Sequence, residues 1–356
     1  MTLLAFAQSK ARYENWLKTE LGQDFVAADL AEKNRVMRAS AFVFLRGTFW
    51  RWAELVRELF PDYASAPAVL AVGDIHLENF GTWRDVDGRL VWGVNDFDEA
   101  DRMPYVEDLV RLATSAALAA DQSKPDPDMC DAILSGYRDG LETPKPVGLD
   151  RDWAWLRDKV VVPEENRQKF WKKNDARKAE PAPQHFQDAL RGAMPEAGMA
   201  FDTARRVAGT GSLGRPRWIG VADWQGAPIV REAKALLSSA WSLARGAHTA
   251  KILSGEIATG RYRSPDPCMT VTDGIVTRRL SPNNRKIEAA TSDFRLHGAK
   301  MLKVMGFELA NVHSGTDGAA AAIAKDLSTR KSGWLVADVE KAAKAVLADY
   351  KQFKKG

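Results

Sequence analysis

The sequence is poor in the features that define several classes of protein. It has only two cysteines among 356 residues, Cys130 and Cys268, which lie far apart and form no CxxC pair. This spacing excludes a disulfide framework and a zinc ribbon. The apolar runs are only a few residues long, so we expect no membrane-spanning helix and no membrane partner. The first residues show no basic segment before a long apolar run, which predicts a cytoplasmic protein without a signal peptide.

An excess of one charge is also missing. The chain has 51 Lys and Arg against 47 Asp and Glu, a net charge of +4, and the basic residues are dispersed among acidic ones. We therefore expect no nucleic-acid partner. The five histidines show neither the HExxH pattern nor another paired zinc spacing. With 45% hydrophobic and 28% charged residues, the composition is that of an ordinary folded protein.

Hydrophobic spacing predicts a mixture of helices and strands, an α+β protein. Apolar residues recur every three or four positions over residues 8–60 and 105–120, which indicates helices. Short apolar runs at 69–72 and 89–94 indicate strands. The charged, proline-containing stretch 161–200 is interpreted as a connector outside the core. Beyond it, strands are expected at 217–224 and 228–233, and in a hairpin of 269–272 with 275–280, joined by Asp273-Gly274.

Oxygen-bearing side chains cluster after the first two predicted strands. Asp74 follows the strand 69–72 within Gly-Asp-Ile-His-Leu-Glu-Asn, which ends at Asn79, and Asp96 and Asp98 follow the strand 89–94. This order suits phosphoryl transfer: Asp74 accepts the proton of an attacking hydroxyl, while Asn79 and Asp96 hold a magnesium ion. Asp98 is a second acidic contact for that ion. The alternative is that each aspartate merely caps a turn after a strand.

Two further residues are expected to support this loop. His76 is interpreted as bracing the loop through hydrogen bonds, since no second histidine stands at ligand spacing. Asp108, in the predicted helix 105–120, either lies under the loop and fixes its backbone or is an exposed carboxylate near the helix N-terminus.

A glycine-rich segment, Gly-Thr-Gly-Ser-Leu-Gly over residues 209–214, matches GxGxxG. A dinucleotide-binding turn would require a helix to begin within the glycines, but Pro216 and a predicted strand follow instead. A glycine-rich hairpin between two strands is the arrangement that covers ATP phosphates in protein kinases. The residues placed at the phosphates are Gly209, Gly211, Ser212 and Gly214.

The strand after this hairpin supplies a cation for the α- and β-phosphates. Arg231 and Lys234 both qualify, and they point to opposite faces because side chains alternate along a strand. If that cation pairs with a carboxylate on the next helix, Glu256 is the residue expected. Glu256 is alternatively an ordinary surface residue.

These motifs resemble the catalytic loop, metal-binding strand and following helix of aminoglycoside phosphotransferases and related kinase-like enzymes. The resemblance implies ATP and Mg²⁺ as cofactors and a bilobed, protein-kinase-like fold with a helix-rich large lobe. In those families the glycine loop comes first, whereas here it follows the catalytic loop by about 135 residues. The chain is therefore interpreted as a circular permutation of that fold.

The whole chain also resembles a bacterial family known only as domain of unknown function 2252. The similar segments are residues 44–47, 73–81, 95–99, 209–214, 230–233, 278–282 and 305–313. Two positions depart from these patterns. Val72 replaces the His that kinase-like enzymes often place before the catalytic Gly-Asp, and Arg231 replaces the Lys of the family's Val-Lys-Glu-Ala.

The resemblance implies five segments. Residues 1–60 are the N-terminal helices of the large lobe, and 61–160 are its catalytic and metal-binding part. Residues 161–200 are the connector, 201–286 the nucleotide-binding small lobe, and 287–356 the closing helices of the large lobe.

The function expected is Mg-ATP-dependent phosphoryl transfer to a hydroxyl of a small molecule or protein. Arg278, Arg279 and Arg285 either meet an anionic substrate or form a basic hairpin edge. The alternatives are nucleotidyl transfer to a protein, with the nucleotide reversed, and a pseudokinase that binds nucleotide without catalysis.

Overall fold

In the computed structural model, residues 3–207, 209, 214–247, 251–285 and 298–355 are described. The chain begins with four helices: α1 (Phe6–Leu21), α2 (Ala27–Met37), α3 (Ala41–Gly47) and α4 (Phe49–Leu59). The helices predicted over residues 8–60 are thus confirmed. Their apolar faces carry aromatic residues such as Phe44, Trp50 and Trp52 into the main core.

Two small antiparallel sheets follow and carry the acidic motifs. Strands β1 (Ala68–Ala71) and β4 (Asp101–Pro104) form one pair. Strands β2 (Phe80–Arg84) and β3 (Leu90–Val94) form a hairpin, which β5 (Val147–Gly148) extends. Between β4 and β5 lie the helices α5 (Tyr105–Ala119) and α6 (Pro127–Glu142). The loops after β1 and β3 lie side by side, and the backbone N–H of Asn95 donates to the carbonyl oxygen of Asn79 (3.2 Å).

The second half contains a five-stranded antiparallel sheet in the order β6-β7-β8-β10-β9. Its strands are β6 (Asp202–Arg205), β7 (Arg217–Trp224), β8 (Ala227–Ala235), β9 (Thr270–Thr272) and β10 (Ile275–Leu280). The short helices α10 (Ala240–Ala244) and α11 (Ser254–Ala258) lie between β8 and β9. The predicted hairpin through Asp273-Gly274 is confirmed as β9 and β10.

Three helices end the described chain: α12 (Gly298–Ser314), α13 (Ala319–Thr329) and α14 (Trp334–Lys355). Helix α12 packs closely on α6 because glycines stand at the crossing. A Cβ at Gly306 would lie 2.1 Å from the carbonyl oxygen of Ile133, and one at Gly136 would lie 1.7 Å from that of Lys303. The helices together with the antiparallel sheets confirm the α+β class predicted from the sequence.

The connector expected at 161–200 is wrong in one respect, because part of it belongs to the core. Helix α7 (Ala154–Val160) ends just before it, and the segment itself contains α8 (Glu164–Asp175) and α9 (Gln184–Gly192). Helix α9 packs on β7, β8 and β10 and buries Phe186 and Leu190 completely. These two apolar residues stand four positions apart on one helix face, which is why a largely polar segment can cover the sheet.

Candidate functional site

The loop after β1 is held from below by Asp108 of α5. The two carboxylate oxygens accept hydrogen bonds from the backbone N–H of Val72 (2.7 Å) and of Gly73 (2.9 Å). His313 Nε2 lies 3.0 Å from Asp108 Oδ2, and His313 Nδ1 lies 2.7 Å from the Tyr137 hydroxyl. All these groups are buried, so the loop backbone rests on a connected polar network.

Gly73 is required at the start of this loop by both conformation and space. Its φ of +76° is in the left-handed region, which side chains disfavour. A Cβ would also lie 2.4 Å from the carbonyl oxygen of Glu99 and 2.9 Å from the Phe49 ring. The absence of a side chain therefore lets the loop pass close to the segment that follows β3.

Asn79 ties the two acidic segments together. Its Nδ2 donates to the carbonyl oxygens of Asp74 (3.2 Å) and Asp96 (3.0 Å), while its Oδ1 is buried and has no hydrogen-bond partner among the described residues. His76 Nδ1 accepts from the backbone N–H of Glu78 (3.1 Å), a contact within the loop. The orientation of Asn79 is thus fixed by its amide nitrogen, and its oxygen remains available for a ligand.

Lys234 of β8 reaches the aspartates that follow β3. Its Nζ lies 3.3 Å from Asp96 Oδ1 and contacts Asp98 Oδ1. The Lys234 side chain is only 2% exposed. Burial lowers its pKa from the ordinary value, while Asp96 and Asp98 act in the opposite direction. The five-stranded sheet thereby contributes a cation to a cluster that otherwise belongs to the first half of the chain.

Asp74 is paired with Arg111, a residue that the sequence analysis did not single out. The guanidinium of Arg111 contacts Asp74 Oδ1, donates to the Leu45 carbonyl oxygen (2.9 Å), and lies about 5 Å from the rings of Phe49 and Trp52. Burial raises the pKa of the Asp74 carboxyl, and Arg111 opposes that rise. A raised pKa brings a carboxylate closer to the working range of a general base.

A magnesium ion fits this donor set. The unpartnered Asn79 Oδ1 and the carboxylates of Asp96 and Asp98 are hard oxygen donors, which Mg²⁺ prefers. Within the described part of the chain, no three His, Cys, Asp or Glu residues form a metal cluster. Mg²⁺ at phosphoryl-transfer sites commonly uses only one or two carboxylates together with substrate phosphates and water, so a complete protein cage is not required.

The glycine-rich segment connects β6 to β7, the first two strands of the sheet. Gly209 and Gly214 have φ values of +79° and +100°, so both need glycine. Residues 208 and 210–213, including Gly211 and Ser212, lie outside the described residues.

Two of the predicted contacts are not present. Arg231 points away from the aspartates, and its guanidinium donates to the backbone carbonyls of Ala193 (2.9 Å) and Val230 (3.3 Å). Glu256 does not pair with Lys234. It forms an exposed ion pair with Lys251 at 2.5 Å instead. The alternation of side chains along β8 places Lys234 on the face toward the aspartates and Arg231 on the other.

Glu232 and Glu99 are buried carboxylates that the sequence analysis missed. Glu232 pairs with Arg206, Arg217 (3.2 Å) and Arg278 (2.7 Å), and its pKa is well below the ordinary value although burial alone would raise it. Glu99 pairs with Arg215 (2.5 Å) and accepts the Ala240 backbone N–H (2.7 Å). Both tie the sheet and its neighbours together through groups scattered along the chain.

The helices of the described residues include none that is both long and apolar enough to cross a membrane. A family model described as "uncharacterized protein conserved in bacteria (DUF2252)" matches residues 26–191. The match supports the resemblance to that bacterial family. It covers Asp74, Asn79, Asp96 and Asp98, and ends before the glycine-rich segment and Lys234. No curated protein and no solved structure shows a significant match to the chain.

Proposed function

We propose that the protein is a Mg-ATP-dependent phosphotransferase with a circularly permuted, kinase-like fold of two lobes. The observation that carries this proposal is the convergence of Lys234 from β8 with Asp96, Asp98 and Asn79 beside Asp74. The same groups, a strand lysine, a base and oxygen ligands, recur in kinase-type phosphoryl transfer.

The small lobe is the five-stranded sheet with the glycine-rich segment between its first two strands. Lys234 stands on the third strand, β8, the position at which protein kinases carry the lysine that contacts the α- and β-phosphates. Gly209 and Gly214, with Gly211 between them in sequence, leave room for backbone N–H groups to approach phosphate oxygens. The order of these elements in the chain supports the permuted arrangement.

In the reaction, Asp74 accepts the proton of the acceptor hydroxyl as its oxygen attacks the γ-phosphorus of ATP. The bond from that phosphorus to the β-γ bridging oxygen breaks, and ADP leaves with its electron pair. Asn79 and Asp96 would hold the magnesium ion, which would neutralise phosphate charge. Arg111 keeps the Asp74 carboxylate in one orientation through the contact at Oδ1.

Nucleotidyl transfer is a second candidate, favoured by the arginines around Glu232 on the same sheet face as Lys234. In that reaction the hydroxyl attacks the α-phosphorus and pyrophosphate leaves. The nucleotide then lies reversed, with its β- and γ-phosphates toward the arginines.

The products formed from ATP test both candidates. With magnesium and water as the acceptor, we expect slow release of ADP from ATP, lost with a chelator and reduced about 10²-fold or more by Asp74→Asn. Asp87→Asn, which changes an exposed aspartate in the β2–β3 turn, is the control. Release of AMP and pyrophosphate would favour nucleotidyl transfer. No magnesium-dependent nucleotide consumption, or an unchanged rate in Asp74→Asn, would contradict both.

A further inference from the structure

A cleft of about 260 Å³ opens between the five-stranded sheet and the β2–β3 hairpin. Its walls are formed by β10 and the residues after it on one side, and by β2, β3 and the segment around residue 265 on the other. A smaller pocket at Asp96, Asp98 and Lys234 adjoins it. Residues that line both spaces include Asn95, Met269 and Arg278. A ligand in the cleft therefore lies next to the proposed transfer site.

The lining of this cleft is strongly cationic. Among the described residues that line it, there is a single carboxylate, Asp266, against five arginines: Arg206, Arg263, Arg278, Arg279 and Arg285. Arg206 and Arg278 each keep 21% of the side chain exposed, and Arg279 keeps 29%. These three side chains are therefore partly accessible, although each also has a partner in the protein.

The positive charge continues behind the wall. Glu232 is fully buried and pairs with Arg206, Arg217 and Arg278, so these four side chains together carry a net charge of about +2 (three positive, one negative). Burial lowers the pKa of Lys173, and repulsion by Arg177 and Arg206 lowers it further. Positive charge gathered in this way repels itself and raises the local concentration of anions.

The shape of the arginine side chain indicates which kind of anion the cleft would bind. A guanidinium presents planar, paired N–H donors that match the oxygens of a phosphate group, and arginine is favoured where phosphate is recognised in this way. Arg263, buried between Trp83 and Phe97 at 5.4 and 4.8 Å from the ring centres, holds the wall through Glu308 (2.5 Å). Arg263 thereby links this wall of the cleft to Glu308 of α12.

We propose that this cleft is a phosphate-binding site in which Arg206, Arg278 and Arg279 hold a diphosphate or longer phosphate group. The group comes from one of two sources: the nucleotide's own phosphates, or a phosphorylated acceptor. The site itself rests on the residues of the cleft, whereas its part in group transfer rests on the proposed function.

Calorimetric titration of the full chain with inorganic pyrophosphate, in the presence of a magnesium chelator, tests the site. We expect saturable binding that weakens with added salt and becomes about tenfold weaker or more in Arg206→Gln and in Arg279→Gln, since each loses a charged hydrogen-bond donor. Arg138→Gln, an exposed arginine on α6, is the matched control and leaves the affinity unchanged. Absence of binding, or equal affinity in all variants, would overturn the proposal.

Arg279→Gln is the variant less prone to misfold, because Arg279 is partly exposed and does not pair with the buried Glu232. If Arg206→Gln fails to fold, the Arg279→Gln result alone decides.

Competition with a methylene-bridged ATP analogue and magnesium separates the two sources. Mutually exclusive binding with pyrophosphate identifies the nucleotide's own phosphates, whereas simultaneous binding identifies a phosphorylated acceptor. Both outcomes support the site. If pyrophosphate binds and the analogue does not, the phosphate site stands and the proposed function fails. If the analogue binds and pyrophosphate does not, the proposed function stands and the phosphate site fails.

Discussion

Replacing Lys234 by methionine removes the cation between Asp96 and Asp98 while keeping most of the side-chain volume. The ammonium group contacts Asp98 and lies 3.3 Å from Asp96, with only 2% of its side chain exposed. Removing one partner of a buried ion pair costs about 3–5 kcal/mol. Asp96 retains 30% exposure, so we expect a loss of about 2–4 kcal/mol in the free energy of unfolding.

Magnesium distinguishes this charge effect from a simple packing defect. In Lys234→Met the two aspartates lose the cation that they share, so millimolar Mg²⁺ should restore part of the lost stability. Arg231→Met on the same strand is the control, because Arg231 donates to backbone carbonyls on the opposite face. Urea unfolding with and without Mg²⁺ measures both variants. A loss below about 0.5 kcal/mol, or equal recovery in Arg231→Met, would show that Lys234 does not balance the charge of the two aspartates.

Three further predictions concern the support of the site. Asp108→Asn replaces one of two oxygens that accept the Val72 and Gly73 N–H groups, so a loss of about 2–4 kcal/mol is expected in denaturant unfolding; an unchanged midpoint would contradict the network. Burial raises the pKa of Glu107 from 4.5 to about 8. The folded state thus holds a proton that the unfolded state releases, and stability falls as pH rises from about 5 to 8. Glu107→Gln should flatten that decline, and an identical pH profile would count against it. Gly306→Ala places a methyl group against a carbonyl oxygen on α6, which should cost about 3 kcal/mol; a neutral effect on the melting temperature would show that the helices separate easily.

The parts of the fold that follow from local patterns were predicted well. Period-three and period-four spacing located the first helices, and Asp273-Gly274 located the β9–β10 hairpin, because such signals act over a few residues. The acidic residues after β1 and β3 were also singled out, since polar groups that follow buried strands stand out in sequence.

Other features depend on contacts between distant segments. Alternation along β8 showed that Arg231 and Lys234 face opposite ways, but only the packing of the sheet decides which face meets the aspartates. Arg111 is indistinguishable in sequence from an arginine on an exposed helix face, yet it is fully buried beside Asp74.

The packing of helix α9 also depends on contacts between distant segments. Its two buried residues, Phe186 and Leu190, stand among Gln, Asp and Arg between flanking prolines, so composition indicated a connector. The arginines that meet Glu232 come from positions up to 72 residues apart (206 to 278), which no local pattern brings together.

Thermal unfolding of the full chain with ATP tests whether a magnesium-dependent nucleotide site exists at Asp96. A ligand at one hundred times its dissociation constant adds about 2.7 kcal/mol of stability. We predict that ATP with magnesium raises the melting temperature, that ATP without magnesium raises it much less, and that Asp96→Ala abolishes the magnesium-dependent part. No shift with any nucleotide, or a shift that is independent of both magnesium and Asp96, would contradict the account.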